Sequence, residues 1–204
     1  MILAFDTSSE ACTAALFDAG GSLVRRADER IGRGHSERLV PMLDELLGGT
    51  RPSHVLVGVG PGSFTGIRVA IAAAHGLAIG WDARLDGFSS LALLAAGVEI
   101  ADEPVAAAIR GGHGQLFVQQ FAGRTLEPTC SVQSIVPGEA ALLISAPRVV
   151  GSGAVELVEA RGSGEAIDAL PSAANVFRLP ATLRRLEAKP VYVRAPDAKA
   201  KAAA

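Results

Sequence analysis

The sequence predicts an α/β protein of two lobes, each starting with an antiparallel meander and continuing into helix–strand units. Three observations carry this prediction. Three short strand-like runs, residues 2–5, 12–17 and 22–30, are joined by connections too short for a helical crossover. Two helical patterns alternating with apolar runs follow, the signature of parallel crossovers. A second set of runs, starting near Pro104 with "PVAAAIR" and "QLFVQQF", opens with the same meander.

Taken in order, residues 2–5 form a buried strand ending in Asp6-Thr7-Ser8-Ser9. Residues 12–17 form a second strand, turned by Asp18-Ala19-Gly20-Gly21. The third, residues 22–30, carries Arg25, Arg26, Asp28 and Glu29 and is more exposed. His35-Ser36 opens a helix to about Leu47 with Leu39, Leu43 and Leu46 on one face, and Gly48-Gly49 stops it. Pro41 removes one backbone bond, so a late start or a kink is expected. A strand at 55–59 then enters the stretch "GPGSFTG", followed by an apolar helix over 67–79. A strand near Arg84-Leu85 and a helix over 89–96 complete the first half. The resulting order, βββαβαβα, is that of a ribonuclease-H-like lobe. In the second half the turn 111–114 joins two strands, and "CSVQSI" supplies a third. "PRVVGSGAVELVEA" runs from strand to short helix, "ATLRRLEA" is helical, and "PVYV" is extended before a loose basic tail. The lobes divide as residues 1–103 and 104–204. The fold class is therefore α/β, a two-lobed actin-like ATPase (ribonuclease-H-like) fold of duplicated βββαβα units with the second reduced.

Composition narrows the functional classes. The chain has 204 residues, 49% hydrophobic and 20% charged, ample for a core and against global disorder. Aromatics are 4%, so helices must pack through small side chains. A formal net charge of -2 disfavours unaided binding of nucleic acid. Arg184, Arg185, Lys189, Arg194, Lys199 and Lys201 make the end mildly basic, with a solvated tail as the default reading. Cys12 and Cys130 form no C-x-x-C motif, which argues against a disulfide framework or zinc cluster. The N-terminus lacks signal-peptide character, and the apolar run 67–79 falls short of a membrane span. A cytoplasmic location is expected.

The glycine loop suits an anion, because strand, loop and helix N-terminus form a cradle of backbone N–H groups. It is no Walker A motif, since Gly66 is followed by Ile67-Arg68 rather than Lys-Ser/Thr. Nor do Gly58, Gly60, Gly62 and Gly66 make a dinucleotide fingerprint, although Asp86 lies at a suitable distance. Two readings stay open: a phosphate cradle, or a tight turn capped by Ser63 or Thr65. Asp6, Thr7 and Ser8 similarly suit either phosphate and magnesium or a strand end bonding its own turn. The helix behind the loop is apolar all round, with Ala70, Ala72, Ala73, Ala74, Gly76, Ala78 and Gly80 between Ile71, Leu77 and Ile79. Such a helix is either wholly internal or presents a docking face. His35, His54, His75 and His113 form no i, i+4 pair for a metal, and His35 reads as a helix-entry residue or an interface contact. No Ser-His-Asp or Cys-His set assembles from spacing.

"ILAFDTSSEACTAAL", "HSERLVPMLDELL", "GVGPGSFTGIRVAIAAAHGLAIG", "GFSSLALLA" and "PVYVRAPDAK" together resemble the TsaB (YeaZ) family. The resemblance covers residues 1 to about 95 and the C-terminus. It is weak over about 124–185. It implies a non-catalytic accessory subunit that supports TsaD, the threonylcarbamoyltransferase that forms threonylcarbamoyladenosine beside the anticodon of tRNA. Docking through the two first-lobe helices is implied, which places His35, Leu39, Leu43, Leu46, Arg68, Ile71, Ala74, His75 and Ala78 at the interface. TsaE as a further partner, a homodimer when alone, and tRNA contact only through the complex also follow. No cofactor is required by such a subunit; ATP or ADP with Mg belongs at an interface of the complex. Asp6, Thr7, Ser8, Gly60, Gly62, Ser63 and Thr65 remain the nucleotide or anion candidates. The alternative is a stand-alone ATPase of the actin-like superfamily. Relatives commonly carry Ile-Asp-Ala-Arg where this chain has Ile109-Arg110-Gly111-Gly112, which removes an acid from the second lobe.

Overall fold

The computed structural model describes residues 1–99 and 102–193. The positions of Arg194, Lys199 and Lys201, and so the expected basic tail, lie outside the described residues.

The first sheet is built from β1 (Ile2–Asp6), β2 (Ala11–Phe17), β3 (Leu23–Arg30), β4 (His54–Gly58) and β5 (Arg84–Phe88), in the order β3-β2-β1-β4-β5. β1 pairs antiparallel with β2 and parallel with β4, and β5 continues the parallel side. The second sheet contains β6 (Val105–Arg110), β7 (Leu116–Phe121), β8 (Gln133–Ile135), β9 (Arg148–Val150) and β10 (Glu165–Ile167), in the order β10-β9-β6-β7-β8. β6 pairs antiparallel with β7 and parallel with β9, as β1 does with β2 and β4. The two sheets therefore share one topology, and the duplication expected from the meander extends through all five strands of each.

Alternation along the strands sorts side chains into layers. In β1, Leu3 and Phe5 face helices α1 (His35–Leu47) and α2 (Phe64–Trp81), while Ala4 faces the space between the sheets. In β6, Ala106 and Ala108 face α4 (Pro137–Leu143) and α5 (Ala154–Arg161), while Val105, Ala107 and Ile109 face inward. The central layer is filled by α3 (Ser90–Ala95), every residue of which is buried, and by the 3-10 stretch Ala173–Arg178.

Several expectations are refined. α1 begins at His35 after Gly34 in the left-handed region and runs through Pro41 to a left-handed Gly48. Pro41 is exposed, so the carbonyl its missing N–H leaves unpaired can be hydrated, and no late start is needed. α2 is three residues longer at its start than expected and reaches Trp81, with Ser63 as N-cap accepting from the Gly66 N–H. By length and composition this 18-residue helix reaches the threshold for a membrane span, yet Ile67, Ala70, Ile71 and Ala74 are buried in the cluster against the first sheet. α4, β10 and the 3-10 stretch were not anticipated, and "ATLRRLEA" forms only the short α6 (Ala181–Arg184). Three-residue strands carry too little alternation to announce themselves.

Much of the expected interface is buried in the chain's own core. Leu39 and Ala74 are fully buried, and Leu43, Leu46, Ile71, Ala78 and His35 nearly so. All but His35 and Ala78 belong to the cluster between the helices and the first sheet. Burying a leucine contributes about 1.5–3 kcal/mol, so these side chains are committed to the chain's own core. Ala74→Glu should therefore lower the stability read by urea unfolding by upward of about 3 kcal/mol, through an unpaired buried charge. Gly76→Ala, on the exposed side where an added Cβ meets nothing within 4 Å, should raise it by about 1 kcal/mol.

Candidate functional site

The end of β1 and the glycine loop after β4 are pressed together. The Ser63 N–H donates to the Ser8 carbonyl at 2.6 Å, and the Thr7 hydroxyl donates to the Gly66 carbonyl at 2.7 Å. A Cβ on Gly62 would sit 2.1 Å from the Ser8 carbonyl oxygen, and one on Gly66 would sit 1.8 Å from that of Thr7. Gly60 adopts φ +99°, a conformation natural only to glycine. The motif's glycines are thus required by backbone contact before any ligand is considered.

Asp6 anchors this junction. It is fully buried; Oδ1 accepts from the Ser8 N–H at 2.5 Å and Oδ2 from the Ser90 hydroxyl at 2.5 Å. Ser90 Oγ in turn accepts from the Gly60 N–H at 3.1 Å. β1, the glycine loop and α3 therefore meet on one carboxylate.

Between the strand ends of the two sheets lies a cavity of about 560 Å³. Ser8, Glu10, Pro61, Gly62, Ser63 and Phe64 line it from the first lobe, and Ile109, Arg110, Phe117 and Ser152 from the second. Val191 and Tyr192 close one side. Arg110 Nε donates to Glu156 in the first turn of α5, and its backbone N–H donates to Ser152 Oγ at 3.1 Å. Tyr192 is held against α2, since Arg68 Nε donates to its hydroxyl at 3.0 Å. The Arg68 guanidinium also sits 3.7 Å from the centre of the Phe64 ring, and Val191 N–H donates to the Val59 carbonyl at 2.8 Å.

Of the expected anion candidates, Ser8, Gly62 and Ser63 reach this cavity. Asp6, Thr7, Gly60 and Thr65 do not line it: the first three are buried, and Thr65 is exposed elsewhere. The residues do not fit a magnesium-bound nucleotide. Both Asp6 oxygens and the Thr7 hydroxyl are consumed internally, and among the described residues that line the cavity Glu10 is the lone carboxylate and there is no lysine or histidine. Burial pushes the Cys12 thiol up to about 11, and its Sγ contacts Met42 Sδ at 3.7 Å, which leaves it a poor nucleophile.

Sequence reasoning missed Phe64, Phe117, Ser152 and Tyr192. The signal for Ser152 was present in the duplication: "GSGA" after β9 occupies the place of "GPGS" after β4.

The outer face of α2 is the second notable surface. Arg68, Ala72, His75, Gly76, Ile79 and Gly80 are exposed, and Ile79 is 82% exposed. A surface helix on a sheet normally shows water a charged face. Here Arg68 and His75 are its only strongly polar members. Beside it, α1 exposes Glu37, Val40, Asp44 and Glu45.

Two sheets of order 3-2-1-4-5, facing each other across a loop-lined cleft, define a two-lobed actin-like α/β protein. Comparison with known proteins narrows the class. Residues 28–168 match the family profile described as "TsaD: tRNA N6-adenosine threonylcarbamoyltransferase". The tRNA threonylcarbamoyladenosine biosynthesis protein TsaB of Escherichia coli K12 is 36% identical over 127 residues, 59% of this chain and 54% of that protein. The match spans about half the length of such curated relatives. An uncharacterized protein of Mycobacterium tuberculosis H37Rv is 33% identical, covering 97% of this chain and 93% of its own. A Pseudomonas aeruginosa crystal structure, described as an uncharacterized protein with similarity to peptidase YEAZ, superposes with a TM-score of 0.79. It shares 30% identity over 95% of this chain and 99% of that one. The chain belongs to the TsaB (YeaZ) family.

The glycine contacts make a direct prediction. Gly62→Ala and Gly66→Ala should each cost roughly 1–3 kcal/mol or more in urea unfolding, because the added carbon meets the backbone of Ser8 and of Thr7 respectively.

Proposed function

We propose that this protein is a non-catalytic accessory subunit in the formation of threonylcarbamoyladenosine in tRNA, and that it binds and supports a TsaD-class threonylcarbamoyltransferase. Family membership supports the pathway. The single structural observation that carries the docking role is the outer face of α2. Small and apolar residues there, Ala72, Gly76, Ile79 and Gly80, stand exposed on a helix whose other side already serves the core. Small residues let a partner backbone approach closely, and an exposed isoleucine supplies apolar area.

In this reading Arg68 and His75 remain interface residues, while Leu39, Leu43, Leu46, Ile71 and Ala74 support the surface from beneath. TsaE joins the assembly through TsaD, and tRNA is contacted only by the complex. The same face makes a homodimer when TsaD is absent. The subunit works in the cytoplasm and needs no cofactor of its own. Any ATP or ADP with magnesium belongs to the assembled complex.

The test is the mass in solution, by light scattering, of this protein alone and mixed with TsaD from the same source. A 1:1 complex formed at the expense of a homodimer is expected. Gly76→Arg should lose that complex while unfolding no earlier than the parent, since glycine is the poorer helix former and nothing lies within 4 Å of its Cβ position. Unchanged complex formation by Gly76→Arg would remove α2 from the docking surface.

A further inference from the structure

The cavity between the lobes has no part in the docking role, yet it is built like a binding site. Its volume of about 560 Å³ falls within the range of small-molecule sites. Four serines line it from three separate loops: Ser8 and Ser9 after β1, Ser63 at the start of α2 and Ser152 after β9. Their hydroxyls share one property. Ser63 Oγ accepts from the Gly66 N–H and Ser152 Oγ accepts from the Arg110 N–H, so each still has its own hydrogen to donate. Ser8 is 1% exposed and its Oγ has no partner at all. A buried hydroxyl without a partner is costly and calls for one. Ser8 lines the cavity, and its hydroxyl has the ordinary χ1 freedom of serine. The N-terminus of α2, eighteen residues long, adds the positive end of a helix dipole at Gly62 to Phe64.

Donors without matching acceptors call for an oxyanion. The charges limit it to one such group. Arg110 is the one cation among the described residues that line it and is already paired with Glu156, while Glu10 contributes a negative charge. A polyphosphate would meet too little positive charge and no pair of carboxylates for its metal. The remaining wall is apolar: Phe64, Phe117, Ile109, Pro61 and Val191 suit a ring or branched hydrocarbon.

We infer that the interlobe cavity binds, without metal, a small ligand carrying one oxyanion group, a carboxylate or a phosphate monoester, on an apolar ring-bearing body. Ser8 donates to the oxyanion, beside Ser63 and the first turn of α2, and Phe64 and Phe117 flank the body.

Calorimetric titration of the full chain with phenyl phosphate, phenylacetate, inorganic phosphate and magnesium–ATP tests this. Binding of either ring compound, more tightly than inorganic phosphate and with EDTA present, is expected. Preference for phenyl phosphate identifies the ester source, and preference for phenylacetate the carboxylate source. Ser8→Ala should weaken the better probe about tenfold, the size of a hydrogen bond to a charged group, with a urea midpoint no lower than the parent's. Glu10→Gln should tighten it roughly two- to fivefold by removing a nearby like charge. Tighter, metal-dependent binding of magnesium–ATP would overturn the inference. So would no binding of either ring compound at millimolar concentration, or a Ser8→Ala variant that binds as well as the parent. None of these outcomes bears on complex formation through α2, so the two readings fail separately.

Discussion

The rest of the structure depends on the approach of one backbone to another, where the end of β1 lies against the loop that launches α2. Peptide groups of Thr7 and Ser8 meet those of Gly62 to Gly66 at distances that leave no room for a Cβ. Asp6 then bonds this junction to Ser90, and through Ser90 to Gly60. Removing a partner from such a buried network leaves donors without acceptors, at about 1–3 kcal/mol each. The same contact sets where α2 begins and hence which of its faces is buried. It also forms the first-lobe wall of the cleft. The two surfaces given functional roles here share this support.

Duplication explains why the cleft exists. Each sheet places the ends of its first and fourth strands side by side, the usual location of binding loops in parallel sheets. Facing the two sheets brings four such loops together, with the apolar central layer behind them. Nucleotide-hydrolysing chemistry in this architecture would need free acids at the strand ends. In this chain Asp6 is spent on the fold, and the second-lobe position holds Arg110, closed onto Glu156. The cleft presents hydroxyl and backbone donors, with Glu10 as its acid among the described lining residues.

Much of the fold was legible in the sequence because its signals are local. Meander spacing, the "GPGSFTG" stretch and the caps of α1 and α2 each follow from residue chemistry within a few positions. The short second-lobe strands were not legible, since a three-residue strand such as Glu165–Ile167 is defined by its neighbour in space. Of the candidate site, Ser8, Gly62 and Ser63 were found from the loop pattern, but Phe117 and Tyr192 arrive from distant segments. That several of the expected interface residues are buried has a plain physical reason. α2 is apolar on every side, so its periodicity does not say which side is inward, and its buried positions were read as its docking positions.

That ambiguity has a physical origin. A helix that must serve a core on one side and a protein surface on the other has no use for a charged stripe, and selection for both contacts erases the amphipathic signal. Steric room separates the two sides where hydropathy cannot. Ala70 and Ala74 are fully buried under their neighbours, whereas added carbons at Gly76 and Gly80 meet nothing within 4 Å. Small residues thus occur on both sides of α2: inside, Ala70 and Ala74 lie buried against the core, and outside, Gly76 and Gly80 stand in open space. Glycine in a solvent-facing helix interior costs stability that alanine would restore, about 1 kcal/mol at each position. On a surface with no partner that cost would be uncompensated; on a docking face it is offset when the complex forms.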